Sequence, residues 1–266
     1  MLSKKDLIEA LSLSCVENYY LAWLKQYFDT SILYGQHFRS VKEIMSDFIN
    51  GAIYENYYQI PKMQDVAEEL GITEHHFYKC DFKEAISIIT NNNSNKLCLI
   101  RVNSQFFKNF KMVPWREDHY ILIDSNLNWL NQYPLSSGTF TNGDLEQCFD
   151  GTIIIYKLNN LNIDLKENIK SKIANQDIEN IQIPFTSNSF LDAVGILRIT
   201  RKRLLEFFKD NLELFNILYL EVKYLDKIYL QIRLLNLKNE KEINYLDYLN
   251  TILFYEKKII EVLKNE

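Results

Sequence analysis

"HYILIDSNLNWLNQYP", residues 119–134, is the stretch on which the fold turns. "HYILI" and "NWLNQY" flank the polar "DSNL", and two apolar runs around such a quartet signal a β-hairpin. In an extended strand His119, Ile121 and Ile123 share one face, and Tyr120 and Leu122 the other. The return strand puts Leu127, Trp129 and Asn131 on one face. With the turn at or near "DSNL", the residue across from His119 falls around 131–133. A side-chain oxygen there would hold the imidazole of His119 in one tautomer. Asn131 is the first choice. Asp124 is the alternative: it is anionic, but it sits at the hairpin turn, nominally on the opposite face, where an aspartate commonly serves the turn itself. Asp118 and Tyr133 are weaker candidates.

Working outward, "KLCLIRV" (96–102) reads as a strand with apolar residues on both faces, and "GTIIIYKL" (151–158) as a last strand. "GDLEQCF" (143–149) reads as a short helix. "DFKEAISIIT" (81–90) opens with a capping pattern from Asp81 to Glu84. "NNNSN" (91–95) is a surface turn. "PKMQDVAEELGI" (61–72) is a short helix with Pro61 near its start and Gly71 at its end. Residues 34–60 are loop-rich. Helices come first and strands mostly later, so residues 1–160 read as an α+β domain with an antiparallel sheet. Composition changes around 159–165. Residues 161–266 are rich in Leu, Ile, Lys, Glu, Asn and Tyr, with apolar positions at helical spacing, and are expected to form a helical region packed on the first domain. "PFTSNSF" (184–190) reads as a loop.

A second stretch, "LSLSCVENYYLAWLKQYF" (11–28), carries the chemistry that the hairpin lacks. Ser14-Cys15-Val16-Glu17 is S-x-x-E, a helix-starting capping box. Val16, Tyr19, Tyr20, Trp23, Leu24 and Tyr27 then follow at the spacing of a buried helix face. Cys15 becomes the first helical residue, where free N–H groups and the positive end of the helix dipole stabilise a thiolate. The plain alternative is a small buried sulfur.

The bulk numbers exclude several classes. A chain of 266 residues, 47% hydrophobic and 14% aromatic, can bury a substantial core. Its net charge of −5 argues against a nucleic-acid partner. With 7 Gly and 4 Pro, no Gly-rich phosphate loop is expected, and no G-x-x-x-x-G-K-[ST] occurs. No run of about 18 apolar residues predicts a membrane span. The N-terminus lacks an export signal pattern, so a cytoplasmic location and four free cysteines are expected. Cys98 reads as core. His76 and Cys80 have metal-ligand character, but no second pair completes a zinc site, so no metal is expected.

A cysteine at a helix start, a histidine heading a strand and an amide or carboxylate on the next strand follow the logic of Cys-His-Asn/Asp nucleophilic catalysis. In this order and context the chain resembles the papain-fold cysteine enzymes. It is more closely similar to the butirosin-biosynthesis acyltransferase family. The resemblance rests on the N-terminal stretch ending in Cys15, the helix end "AEELGI", the strand and aromatic loop "LIRVNSQFFKNFKMVPW", and the His-headed strand "DHYILI". It runs in order over residues 12–157 and beyond them is one of helical character only. Papain-like amide synthetases that join carrier-bound β-alanine oligomers to a diamine are also similar. The resemblance implies an enzyme that takes an (amino)acyl or peptidyl group from a carrier-protein thioester, holds it on Cys15 and places it on an amine. It implies no cofactor of its own, since the donor rides on the phosphopantetheine arm of an acyl or peptidyl carrier protein. The acceptor would be a small amine or diamine, and the setting antibiotic or nonribosomal peptide biosynthesis.

Two departures from the family pattern stand out. The family shows Asp-Pro after the second strand, where this chain has "NQYP" (131–134). Papain-like enzymes carry an oxyanion-binding Gln six residues before the cysteine, where this chain has Glu9. Replacement donors would be the backbone N–H of Cys15 with Ser12 or Asn18. Trp115, Tyr120, Trp129 and Phe107 could shield an acyl-enzyme from water, or serve as ordinary core. Glu17, Glu117 and Asp118 could greet a cationic amine, or lie on a solvated surface. Arg198, Arg201, Lys202 and Arg203 form a basic run that could dock an acidic carrier, or be a solvated helix face. The competing classes are a cysteine peptidase or thioester hydrolase with the same dyad, and a non-catalytic scaffold. The long C-terminal helices suit a homodimer and a monomer alike.

Overall fold

The computed structural model describes residues 2–8, 14–36, 38–52, 71–91, 95–113, 119–159, 166–176, 186–238 and 245–265. In chain order the elements are α1 (Lys4–Ile8), α2 (Cys15–Leu24), α3 (Ser31–Gln36), α4 (Val41–Ile49), β1 (Ile72–Phe77), α5 (Phe82–Thr90), β2 (Lys96–Val102) and α6 (Ser104–Asn109). Then come β3 (His119–Ile123), β4 (Asn128–Asn131), β5 (Ser136–Thr139), α7 (Asn142–Cys148), β6 (Phe149–Leu158), α8 (Lys166–Ala174), α9 (Ser187–Phe207), α10 (Leu212–Leu237) and α11 (Tyr245–Asn265). The fold class is mixed α+β, with an antiparallel six-stranded sheet and C-terminal helices.

The chain divides into two compact units. The first holds Met1–Thr30 and Met63–Asn162, the second Ser31–Lys62 and Ile163–Glu266. The segment 31–62, read from sequence with the first 160 residues, groups with the C-terminal helices instead.

In the first unit the sheet runs β1-β6-β2-β3-β4-β5. Leu122 pairs with Leu130 and Ile123 with Trp129, so the hairpin of residues 119–131 has the expected turn. Strand partners directly opposite share a face. Leu99, Leu122, Leu130 and Ile154 therefore lie on one face, and Ile100, Ile121 and Ile153 on the other. The second face buries an apolar cluster that includes Phe106, Phe107 and Trp129. Trp129 packs so closely on β5 that a Cβ at Gly138 would meet its ring at 2.7 Å, which requires glycine there. The first face receives α2, whose Tyr20 ring packs on Tyr156 at 4.8 Å.

Helix α2 is more central than an amphipathic reading implies. Every residue from Glu17 to Leu24 is buried. The helix stops at Leu24, and Tyr27, read as part of its apolar face, lies beyond its end and is 41% exposed. Asp81 caps α5 by accepting the Glu84 N–H at 2.9 Å. Thr141 caps α7 in a reciprocal box with Asp144. The helix expected over 61–72 falls largely outside the described residues.

The second unit is helical. Residues 34–60, read as loop-rich, contain the second half of α3 and all of α4, and α4 begins with a full capping box of Ser40 and Glu43. Part of the expected loop 184–190 is also helix: Thr186 caps α9, which starts at Ser187. The long apolar run from 190 to 238 is two helices, broken where Asn211 caps α10. Arg201 of α9 is completely buried and pairs with Glu221 of α10 and Glu256 of α11, both also buried. It further donates to the Arg39 carbonyl at 3.1 Å. Arg203 is buried, and Arg198 and Lys202 share Asp226. The basic run is thus not one exposed patch; its members are largely consumed within the bundle. Among the described residues no helix is long and apolar enough to cross a membrane.

Candidate active site

The hairpin β3–β4 brings two of the expected residues together. His119 heads β3 and Asn131 ends β4, and both are buried. The register places position 133 opposite His119, so Asn131 is its diagonal neighbour on the same face. His119 Nε2 lies 2.7 Å from Asn131 Oδ1. The orientation of the Asn131 amide is set from its other end, because Nδ2 donates to the Pro134 carbonyl at 3.0 Å. Oδ1 is then an acceptor, and Nε2 must carry the proton. The remaining lone pair of the neutral ring is on Nδ1. The Phe107 ring packs against the imidazole at 5.9 Å. Burial lowers the pKa of His119 below 6.5, opposed by the hydrogen bond to Asn131. The imidazole is neutral at pH 7 and able to accept a proton.

Asp124 does not join this pair. Its Oδ1 accepts from the Asn126 and Asn128 N–H groups at 2.9 Å each, and its Oδ2 from Asn128 Nδ2 at 3.0 Å. Both oxygens serve the turn.

Cys15 is where the capping signal puts it, first in α2, with Ser14 Oγ accepting the Glu17 N–H at 3.1 Å. It is half-buried, whereas Cys80, Cys98 and Cys148 are buried. Burial pushes the Cys98 thiol up to about 12 and the Cys148 thiol up to about 11, and it raises Cys80 as well. Those three are poor nucleophiles. Helix α2 packs on β3. The Tyr120 phenol is raised by burial first, with Cys15 among the lesser causes, so the thiol lies toward the Tyr120 side of β3. His119 and Asn131 face the other side, toward Phe107, so the hairpin that joins His119 to Asn131 does not itself bring either to Cys15.

Asn18, one of the candidate oxyanion donors, is otherwise engaged: its Nδ2 donates to the Leu7 carbonyl at 3.0 Å. Glu9, Ser12, Trp115, Glu117 and Asp118 lie outside the described residues. Trp129 is held among Phe106, Phe110 and Phe140, so it is core rather than shield. Phe107 both packs in the core and touches His119. His76 pairs with Glu74 and takes a 3.0 Å contact from the Tyr78 hydroxyl. Among the described residues no three His, Cys, Asp or Glu side chains gather as a metal site.

Two residues near the pair were not singled out for it by sequence. The Tyr19 hydroxyl donates to the Leu130 carbonyl at 3.1 Å and accepts the Gln132 N–H at 2.9 Å, so it grips both neighbours of Asn131. The side-chain Oε1 of Gln132 is buried without a hydrogen-bond partner among the described residues. The available signal was that a buried tyrosine must satisfy its hydroxyl.

No protein-family model, no curated protein and no solved structure matches this chain.

Proposed function

We propose that the chain is a papain-like cysteine acyltransferase that forms amides, taking an (amino)acyl or peptidyl group from a carrier-protein thioester and passing it to an amine. The observation that carries this reading is the buried His119–Asn131 pair, with its tautomer set so that Nδ1 is the free base. The position of Cys15 first in α2, where free N–H groups and the helix dipole favour a thiolate, supports it.

In the proposed reaction His119 Nδ1 accepts the Cys15 proton, and the thiolate attacks the carbonyl carbon of the carrier thioester. The carrier C–S bond breaks, and the departing thiol takes the proton from the imidazolium. A neutral amine then attacks the Cys15 thioester. The new C–N bond forms, the C–S bond to Cys15 breaks, and the proton lost by the amine returns through His119 to the thiolate. The first exchange is nearly balanced in free energy, and the second runs downhill to an amide, so no ATP is required. The backbone N–H of Cys15 is the first candidate for the oxyanion. A missing second donor would cost about 10²–10³ in rate.

Wild type and Cys15→Ala incubated with acylated carrier proteins, then with amines, test the proposal by intact mass. An acyl adduct on the wild type alone, discharged faster by an amine than by water, is the expected result. Discharge by water at the same rate would make the chain a thioester hydrolase, and no adduct with any donor would remove the catalytic reading.

A further inference from the structure

We infer that Met112 is a modification site: a peroxide oxidises its thioether to the sulfoxide in the folded protein, and the added oxygen accepts the second amide N–H of Asn131. Met112 is placed first by its backbone. After α6 the chain turns back through Lys111, whose φ of 54° lies in the left-handed region. The Lys111 N–H donates to the Lys108 carbonyl at 3.2 Å and the Met112 N–H to the Phe107 carbonyl at 2.8 Å. These are the two bonds that close a helix in a Schellman motif. They tie Met112 to the residue whose ring packs on His119. Its side chain is placed from the sheet. Ser136 pairs directly with Asn131 across β4 and β5, so the two side chains share a face. The Ser136 hydroxyl reaches the Met112 sulfur at 3.0 Å, and Asn131 Nδ2 stands 4.0 Å from the same atom.

The Asn131 amide has two N–H groups to place. The Pro134 carbonyl takes one at 3.0 Å, and it also lies 2.9 Å from the Ser136 hydroxyl. The other is left with a thioether, a weak acceptor, at a long distance. Oxidation changes that. A lone pair of the sulfur attacks peroxide, the S–O bond forms, the O–O bond breaks, and the second oxygen leaves as water. The sulfoxide oxygen is polar and stands one bond off the sulfur, which closes the gap to Nδ2 to hydrogen-bond length. A sulfoxide among apolar side chains ordinarily costs stability, because its oxygen is desolvated without a partner. Here two donors already face the sulfur. With both N–H groups of Asn131 engaged, its Oδ1 stays turned to His119 Nε2, and the imidazole keeps its tautomer. Oxidation thus clamps the pair. Met112 is half-buried and open to a small oxidant, whereas Met45 is completely buried. The inference uses the His119–Asn131 pair alone and assigns no role to Cys15.

The test is hydrogen peroxide treatment of the folded wild type beside Met112→Leu, which keeps the volume of the side chain. Peptide mass, urea denaturation and NMR of the Asn131 side-chain amide are the readouts. Oxidation of the other methionines and of the cysteines is common to both proteins and is removed by the comparison. Met112 is expected to gain one oxygen while Met45 does not. The urea midpoint should change on treatment no more in the wild type than in Met112→Leu. One Asn131 side-chain N–H signal should move downfield in the wild type alone, and methionine sulfoxide reductase should return it. Oxidation of Met112 only in urea, or a midpoint that falls in the wild type alone, would overturn the inference. So would an Asn131 amide signal that stays in place while Met112 carries the oxygen.

Discussion

The two units bury polar side chains in opposite ways. In the first unit His119 and Asn131 are neutral partners, each backed by groups with a defined hydrogen-bond direction. In the second, Arg201 is sealed between Glu221 and Glu256. Two carboxylates around one guanidinium leave an excess negative charge in a dry place. Burial pushes Glu221 up to about 8, against the pull of Arg201, and its Oε2 finds no hydrogen-bond partner among the described residues. The ionic cluster ties three helices together and has no exposed edge, while the neutral pair keeps one ring nitrogen available. A neutral buried pair can pass a proton on at little cost; a buried ionic cluster cannot change charge without unsettling its surroundings.

The comparison can be broken most sharply at the nucleophile and base. Cys15→Ala and His119→Ala are each expected to lower acyl transfer by about 10⁴-fold or more, measured as amide formed per enzyme, with the fold retained by circular dichroism. On the other side, Arg201→Met leaves two buried carboxylates without their cation. It should cost roughly 3–5 kcal/mol in urea denaturation, whereas the joint replacement of Arg201, Glu221 and Glu256 by apolar residues of similar volume should cost far less. A single replacement that proved harmless would show that the cluster is not the internal tie described above.

Smaller effects sharpen the contrast. Asn131→Ala should reduce transfer by about 10- to 100-fold by freeing the imidazole to rotate, with Cys15 still alkylated at alkaline pH. The same change at Asp124 should act on stability through the turn and leave amide formation per folded protein unchanged. The pH dependence of stability should have opposite signs in the two regions. His119 has a lowered pKa in the folded chain, so its contribution is present above 6.5 and is lost as pH falls below that value. Glu221 is raised from 4.5 to about 8, so its contribution is present below 4.5 and is lost as pH rises toward 8. Urea midpoints across pH for Glu221→Gln should therefore show the alkaline loss removed, and for His119→Asn the acidic loss removed.

Much of the first unit was legible because its signals are local. Ser14 and Glu17 mark where α2 begins, and period-2 alternation around "DSNL" fixes a register that makes Asn131 a same-face neighbour of His119. The edge strands were not legible. β5 is "SSGT", with no large apolar residue, and β1 is "ITEHHF", largely polar and half-exposed. Neither carries a face pattern strong enough to read alone. Helix α4 was hidden although Ser40 and Glu43 spell its capping box, because the surrounding Tyr, Asn and Gly read as loop. The basic run misled for a different reason. The partners of Arg201 lie 20 and 55 residues further on, and a sequence displays charges without displaying what neutralises them. Tyr19 was visible only as one more apolar-face residue, since its hydroxyl acts across more than a hundred positions.

The most direct test of the central claim is intact-protein mass spectrometry of the wild type beside Cys15→Ala after exposure to acylated carrier proteins. A mass gain of one acyl group is expected on the wild type alone, mapped to Cys15 and discharged by an amine faster than by water. Equal labelling of both proteins, or of neither across the donor panel, would contradict it.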